Sequence, residues 1–321
     1  MLSLTLPTEL PLPLLLSLGF VVGLLSGLLG IGGGWLITPS LNAFGLPMTS
    51  AVATGLAQMS GTSLLALNRH RKHGNVDFKL GSIIGVSMIL SVNIGKSILL
   101  YLEKSGYAGL LTRGLYITLL STISFAMFRE LLQKKEKSFF LTFFFSFLKK
   151  GPIVNLPRFK TEAHLLLLVF LGAFAGLLSG IMGVGGGFIL VPAITFLLGL
   201  PTLAAVATSL VCVFFSGASG SYFYTLAGKV HWKIALIIIA GSFFGSLIGV
   251  SSTKYIKERS LRFLFAFLTL CAAFSSLFKQ FDLPQLAKVA ISVPAGLILL
   301  YSLSAFISGK FKEKKDVASL K

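Results

Sequence analysis

One twelve-residue stretch occurs twice, as Gly23-Leu-Leu-Ser-Gly-Leu-Leu-Gly-Ile-Gly-Gly-Gly34 and as Gly176-Leu-Leu-Ser-Gly-Ile-Met-Gly-Val-Gly-Gly-Gly187, each time inside a long apolar run. From 23 to 39, ten of seventeen positions are identical to 176 to 192 at a fixed offset, which shared apolar bias alone does not produce. Gly45-Leu46-Pro47 then matches Gly199-Leu200-Pro201, and Ala51-Val-Ala-Thr54 matches Ala205-Val-Ala-Thr208. A duplicated unit of this apolarity constrains the chain to an all-α polytopic membrane protein, because in lipid a helix satisfies its own backbone while an open sheet does not. The expected organisation is a first membrane repeat over 1–133, a basic, Phe-rich cytoplasmic or interfacial linker over 134–162 and a second repeat over 163–283. An extra transmembrane helix with a basic tail follows over 284–321.

Composition supports this and removes other classes. Hydrophobic residues make up 55% and charged residues 12% of the chain, against about 25% charged in soluble domains. All ten acidic residues fall between apolar runs or near their ends. The formal charge of +18 comes from Lys and Arg beside those runs, where they set topology against an anionic cytoplasmic leaflet. No basic domain suited to nucleic acid is present, so none is expected as a partner. Cys212 and Cys271 lie inside apolar runs and make no disulfide framework. The first apolar run lacks a basic leader and a small-residue cleavage site, and reads as a retained span.

Runs long enough to cross a bilayer lie near 11–31, 48–68, 79–102, 110–130, 163–184, 203–226, 233–253, 260–280 and 286–308. Two shorter runs, 35–46 and 188–200, each follow a triple glycine. Short interrupted segments at matching positions of two repeats are the sequence sign of re-entrant helices at a transport site. With both as hairpins, the chain has about seven full spans plus two hairpins, within a range of roughly seven to nine crossings. The repeats are then inverted, with the N-terminus outside and the C-terminus cytoplasmic. That arrangement puts the basic segments 69–72, 129–160, 254–262 and 310–315 on one face, as the positive-inside rule requires. A parallel arrangement with four crossings per repeat strands the last two outside.

The glycines carry the functional reading. A helix that starts after Gly32, Gly33 and Gly34 offers free backbone N–H groups and the positive end of its dipole, which is an anion site. Two such ends entering from opposite faces meet near the midplane. The expected substrate-binding residues are therefore Gly32, Gly33, Gly34, Thr54 and Gln58 in repeat one, with Gly185, Gly186, Gly187, Thr208 and Ser209 in repeat two. Thr54 and Gln58 lie four apart on one helical face. Ser26, Ser179, Asn93, Lys96 and Ser216 are candidates for the pathway. The isolated glycines at 23 and 27, 176 and 180, and 81 and 85 have the spacing of close helix packing, and His70, His73 and His231 read as solvated residues at span ends.

The paired Gly-x-Gly-Gly-Gly segments, the Gly-Leu-Pro-x-x-x-Ala-Val-Ala-Thr signature in both halves and Gly228-x-Val-x-Trp232 together resemble the TauE/SafE family of membrane proteins. The likeness covers about residues 15 to 282. It implies a secondary transporter or exporter of a small sulfur-containing anion, such as sulfite, sulfoacetate or a related organosulfonate, in the cytoplasmic membrane. It implies no cofactor or metal, the lipid bilayer and a small anionic substrate as partners, and a monomer or homodimer. Uptake of an organosulfonate or thiosulfate is the alternative. An intramembrane enzyme is disfavoured, since no apolar run carries a His/Asp/Glu constellation.

Overall fold

A computed structural model describes residues 11–133, 152–156, 161–253 and 255–318. The Phe-rich stretch at 139–147, expected at the membrane surface, lies outside the described residues. The first repeat comprises α1 (Leu12–Leu29), α2 (Gly34–Ala43), α3 (Met48–Lys72), α4 (Phe78–Lys104) and α5 (Ala108–Gln133). The second comprises α6 (Leu165–Met182), α7 (Gly187–Leu197), α8 (Thr202–Leu226), α9 (Trp232–Ser252) and α10 (Glu258–Gln280), and α11 (Pro284–Ala318) follows. Each expected run is a helix, and the two half-length runs are α2 and α7. Among the described residues, eight helices are long and apolar enough to cross a membrane. α3 matches them with 25 residues but ends in Arg69, His70, Arg71 and Lys72.

One element departs from the all-helical reading. Strands β1 (Ile153–Leu156) and β2 (Thr161–His164) form an antiparallel hairpin with Ile153 opposite His164. Lys79 Nζ donates to the Asn155 carbonyl at 2.9 Å and ties it to the start of α4. The expected linker over 134–162 covers β1 and the first half of β2, whose last two residues fall at the start of the expected second repeat; four-residue strands give too short a pattern to recognise.

Chain punctuation explains where the helices stop. Pro47 and Pro201 immediately precede α3 and α8, where a fixed φ suits a helix start. Asp77 caps α4, its carboxylate accepting from Leu80 N at 3.0 Å. α1 and α6 end on Gly30 and Gly183 in the left-handed conformation, which any side chain disfavours.

The repeats interlock. Helix α1 packs on α9, with Gly19 against Ile238, Gly23 against Ser242 and Gly27 against Ser246 and Val250, so the two run parallel. The counterpart pair, α6 on α4, sets Gly172 against Ile84, Gly176 against Met88 and Gly180 against Val92. A methyl at Gly23 would lie 2.2 Å from the Ser242 carbonyl oxygen, so these glycines serve backbone-to-backbone contact, as their spacing indicated. Equivalent helices instead run antiparallel. Between α5 and α10, Arg113 donates to the Lys279 carbonyl, Ser124 to the Ala266 carbonyl, and Phe128 packs edge-on against Phe263. Between α3 and α8, Gly217 approaches Ser60 while Gly220 approaches Leu56. This is the geometry of a two-fold axis lying across the helices.

Candidate functional site

The two glycine breaks meet. A methyl at Gly34 would sit 2.3 Å from the Gly183 carbonyl oxygen, and one at Gly187 would sit 2.9 Å from the Gly30 carbonyl oxygen. Gly32, Gly33, Gly185 and Gly186 all have positive φ, so the chain reverses through conformations that only glycine adopts readily. Among the described residues the N–H groups of Gly33 and Gly34 have no hydrogen-bond partner. The same holds for Gly186 and Gly187. Both half-helices thus point bare donors toward the centre.

The space between the breaks is filled by side chains from the crossing of α3 and α8. Met59 lies against Gly34 and Gly185, and Val213 against Gly32, Gly185 and Gly187. These two residues are equivalent in the repeats and fully buried. The sequence reading does not single them out; their position one residue after Gln58 and Cys212 is the available sign.

The expected polar residues separate into two groups. Thr54 Oγ1 accepts from His231 N at 3.1 Å and Thr208 Oγ1 accepts from Asp77 N at 3.0 Å. Each threonine thereby holds the start of α9 or α4 in the opposite repeat. Ser209 donates to the Gly30 and Val206 carbonyls, both at 2.8 Å, which bonds it directly to the end of α1. Asn93 and Lys96 lie half-buried on α4, and the Lys96 ammonium sits 5.8 Å from the Phe223 ring centre. Neither has a hydrogen bond from its side chain to a break.

The second group is asymmetric between the repeats. Ser179 Oγ accepts from Gly185 N at 3.0 Å and pairs with Ser216 Oγ at 2.5 Å. The equivalent atoms in repeat one are Ser26, Gly32 and Thr62. There, Thr62 is drawn away: it accepts from Gln58 Nε2 and pairs with Ser242 at 2.8 Å. Ser26 Oγ and Gln58 Oε1 are left fully buried without a partner. Trp35 Nε1, on the first turn of α2, is also unpartnered. Burying such groups unpaired costs about 1–3 kcal/mol each, so their concentration around the first break calls for a reason.

Two further residue pairs were missed. His70 is buried, with Nε2 2.9 Å from the Gly27 carbonyl, rather than solvated as its basic neighbours suggested. At the equivalent position Tyr224 donates to the Gly180 carbonyl at 2.7 Å. Each ring ties the end of a long helix to its repeat's first helix. Arg113 lies beside Asn42 and Ala43 at the C-terminal end of α2, while Arg262 donates to Thr202 and stacks over Phe196 at the end of α7. A cation therefore faces the negative dipole end of each half-helix.

This architecture, with two glycine breaks from a duplicated unit, matches a known family over residues 15–276, that of the sulfite exporter TauE/SafE. The chain belongs to the TauE/SafE family. It is similar to the probable membrane transporter protein YunE of Bacillus subtilis, 26% identical over 77% of this chain and 90% of that one. A probable membrane transporter protein of Methanocaldococcus jannaschii is 27% identical over 79% of this chain and 90% of its own, and one of Xylella fastidiosa is 28% identical over 75% and 87%. No solved structure matches the chain. Family membership and relatives identify a multi-pass membrane transporter, and they point away from an enzyme. Helix α11 lies beyond the residues matched to the TauE/SafE family.

Proposed function

We propose that the chain exports a small sulfur-containing anion, such as sulfite or an organosulfonate, across the cytoplasmic membrane, and that the anion binds at the first glycine break. The observation that carries this is the trio of buried unpartnered groups on α1, α2 and α3, namely Ser26 Oγ, Trp35 Nε1 and Gln58 Oε1, beside the bare N–H groups at the start of α2. Serine hydroxyl and indole N–H are donors, and turning the Gln58 amide over frees Nε2 to donate while Oε1 accepts from Thr62. A ring of neutral donors with a helix dipole recognises an oxyanion without a fixed counter-charge that would hold it too tightly to release.

The antiparallel run of equivalent helices supports an inverted repeat whose breaks enter from opposite faces, and the basic loops support an N-terminus outside. Met59 and Val213 then separate the two approaches, and passage requires them to turn aside; an unbranched thioether does so more readily than a ring. For direction, a monoanion leaving a negative-inside cell gains about 2.3 kcal/mol per 100 mV. Export therefore needs no coupled ion.

The test is efflux of sulfite from proteoliposomes under an imposed potential, for the parent and for Ser26→Ala and Gln58→Leu. Potential-driven efflux weakened at least tenfold in both variants is the expected result. Equal efflux from protein-free liposomes and proteoliposomes would sink the reading.

A further inference from the structure

Among the described residues helix α11 has no counterpart in the first repeat, and it lies outside the family match, yet with α1, α2 and α10 it lines a half-open cavity of about 200 Å³. The walls are apolar: Leu14, Leu18 and Val21 from α1, with Leu36 and Pro39 from α2. Polar groups are few. The Ser17 and Ser275 hydroxyls are already bonded to the Leu14 and Ala287 carbonyls, while Ser40 donates no hydrogen bond among the described residues. One charged residue, Lys288, lines the cavity, its ammonium 5.7 Å from the Phe44 ring centre. Arg113 and Lys279 line the adjoining crevice. None of these three cations is in a salt bridge among the described residues.

We propose that this cavity is a second ligand site, for a monoanion with a short apolar tail: an alkane carboxylate or sulfonate whose head meets Lys288 and whose tail lies between α1, α2 and α11. Size limits the tail. A dry cavity of about 150 Å³ accepts benzene, and drug-sized ligands need roughly 300 Å³ or more, so a chain of about six carbons fills this one. Charge limits the head, because the lining offers cations and hydroxyls and no carboxylate. The site is separate from the glycine breaks and does not depend on the transported anion being sulfite. It touches α2 along Leu36, Pro39 and Ser40, so its occupant bears on the half-helix that forms the first break.

The full-length protein in detergent tests this by calorimetric titration with hexanoate, acetate and hexanol. Saturable binding of hexanoate, at least tenfold tighter than either acetate or hexanol, is the expected result. Gly296 lines the cavity, and a β-carbon there meets nothing within 4 Å, so Gly296→Phe fills the space without a backbone clash. Hexanoate binding should vanish in Gly296→Phe and weaken at least tenfold in Lys288→Gln, while both variants keep the parent's affinity for sulfite. Competition by palmitate identifies the source of the acid: displacement of hexanoate at lower concentration assigns it to the bilayer, and failure to displace assigns it to solution. Hexanoate binding unchanged in Gly296→Phe, or hexanol binding as tightly as hexanoate, would overturn the proposal, whatever becomes of sulfite efflux.

Discussion

Ser26 and Ser179 occupy equivalent places in the duplicated stretch, yet their replacement by alanine should have opposite consequences. Ser179→Ala removes the acceptor of Gly185 N–H and the partner of Ser216. Each buried group orphaned in this way costs about 1–3 kcal/mol, so the variant should lose roughly 2–6 kcal/mol and melt several degrees lower. Ser26→Ala removes a buried hydroxyl that has no partner, which relieves a desolvation penalty of about 1–3 kcal/mol instead of adding one. Its melting temperature should equal or exceed the parent's. Where Ser26 donates to a bound anion, the lost bond to a charged acceptor is worth about 1.5–3 kcal/mol, or roughly a 10- to 150-fold weaker dissociation constant. Thermal melting in detergent, with and without sulfite, reads both quantities. Ser26→Ala melting below the parent, or an unchanged shift with sulfite in that folded variant, would refute the argument from orphaned groups.

The remaining predictions concern the architecture. The Phe128→Cys, Phe263→Cys pair replaces rings whose centres lie 5.8 Å apart; oxidation should cross-link α5 to α10, and a Phe128→Cys, Lys279→Cys pair should not, as parallel helices would reverse the outcome. Gly33→Val forces a β-branched residue to φ of 84° with its β-carbon 2.1 Å from Val22 Cγ1, so it should cost roughly 2–6 kcal/mol from strain and overpacking and show as lost expression. Gly45→Ala also sits at positive φ but in open space, and should cost only about 1–3 kcal/mol in melting assays. Reporter fusions at Arg71 and Gly106 should fall on opposite faces, with Arg71 cytoplasmic; Arg71 outside would reverse the orientation taken from the basic loops.

The sequence by itself determined the segmentation. Apolar run length is set by the thickness of the bilayer, so helix positions were legible to within a few residues, and the half-length of α2 and α7 followed from the same ruler. Duplication was equally legible, because the glycines at 23, 27, 176 and 180 must stay small where backbones touch. The inverted orientation of the repeats is an expectation from the charge of the loops, and what the fold adds is that α5 and α10 run antiparallel.

What only the tertiary structure decided is which polar groups are satisfied. Thr54, Thr208 and Ser209 have the composition of ligand contacts, yet all three bond to backbone across the repeat boundary. Ser26 lacks the hydroxyl partner that Ser216 gives Ser179, because Thr62, the counterpart of Ser216, is bonded to Gln58 and to Ser242 instead, the latter 180 positions away in the chain. Hydrogen bonding depends on distances of a few tenths of an ångström between such distant segments, and no periodicity encodes that. The same reason hid the burial of His70 and the cavity under α11. Hydrophobic pattern fixes what enters the membrane; partner geometry in the folded bundle fixes which buried polar groups stay unpartnered.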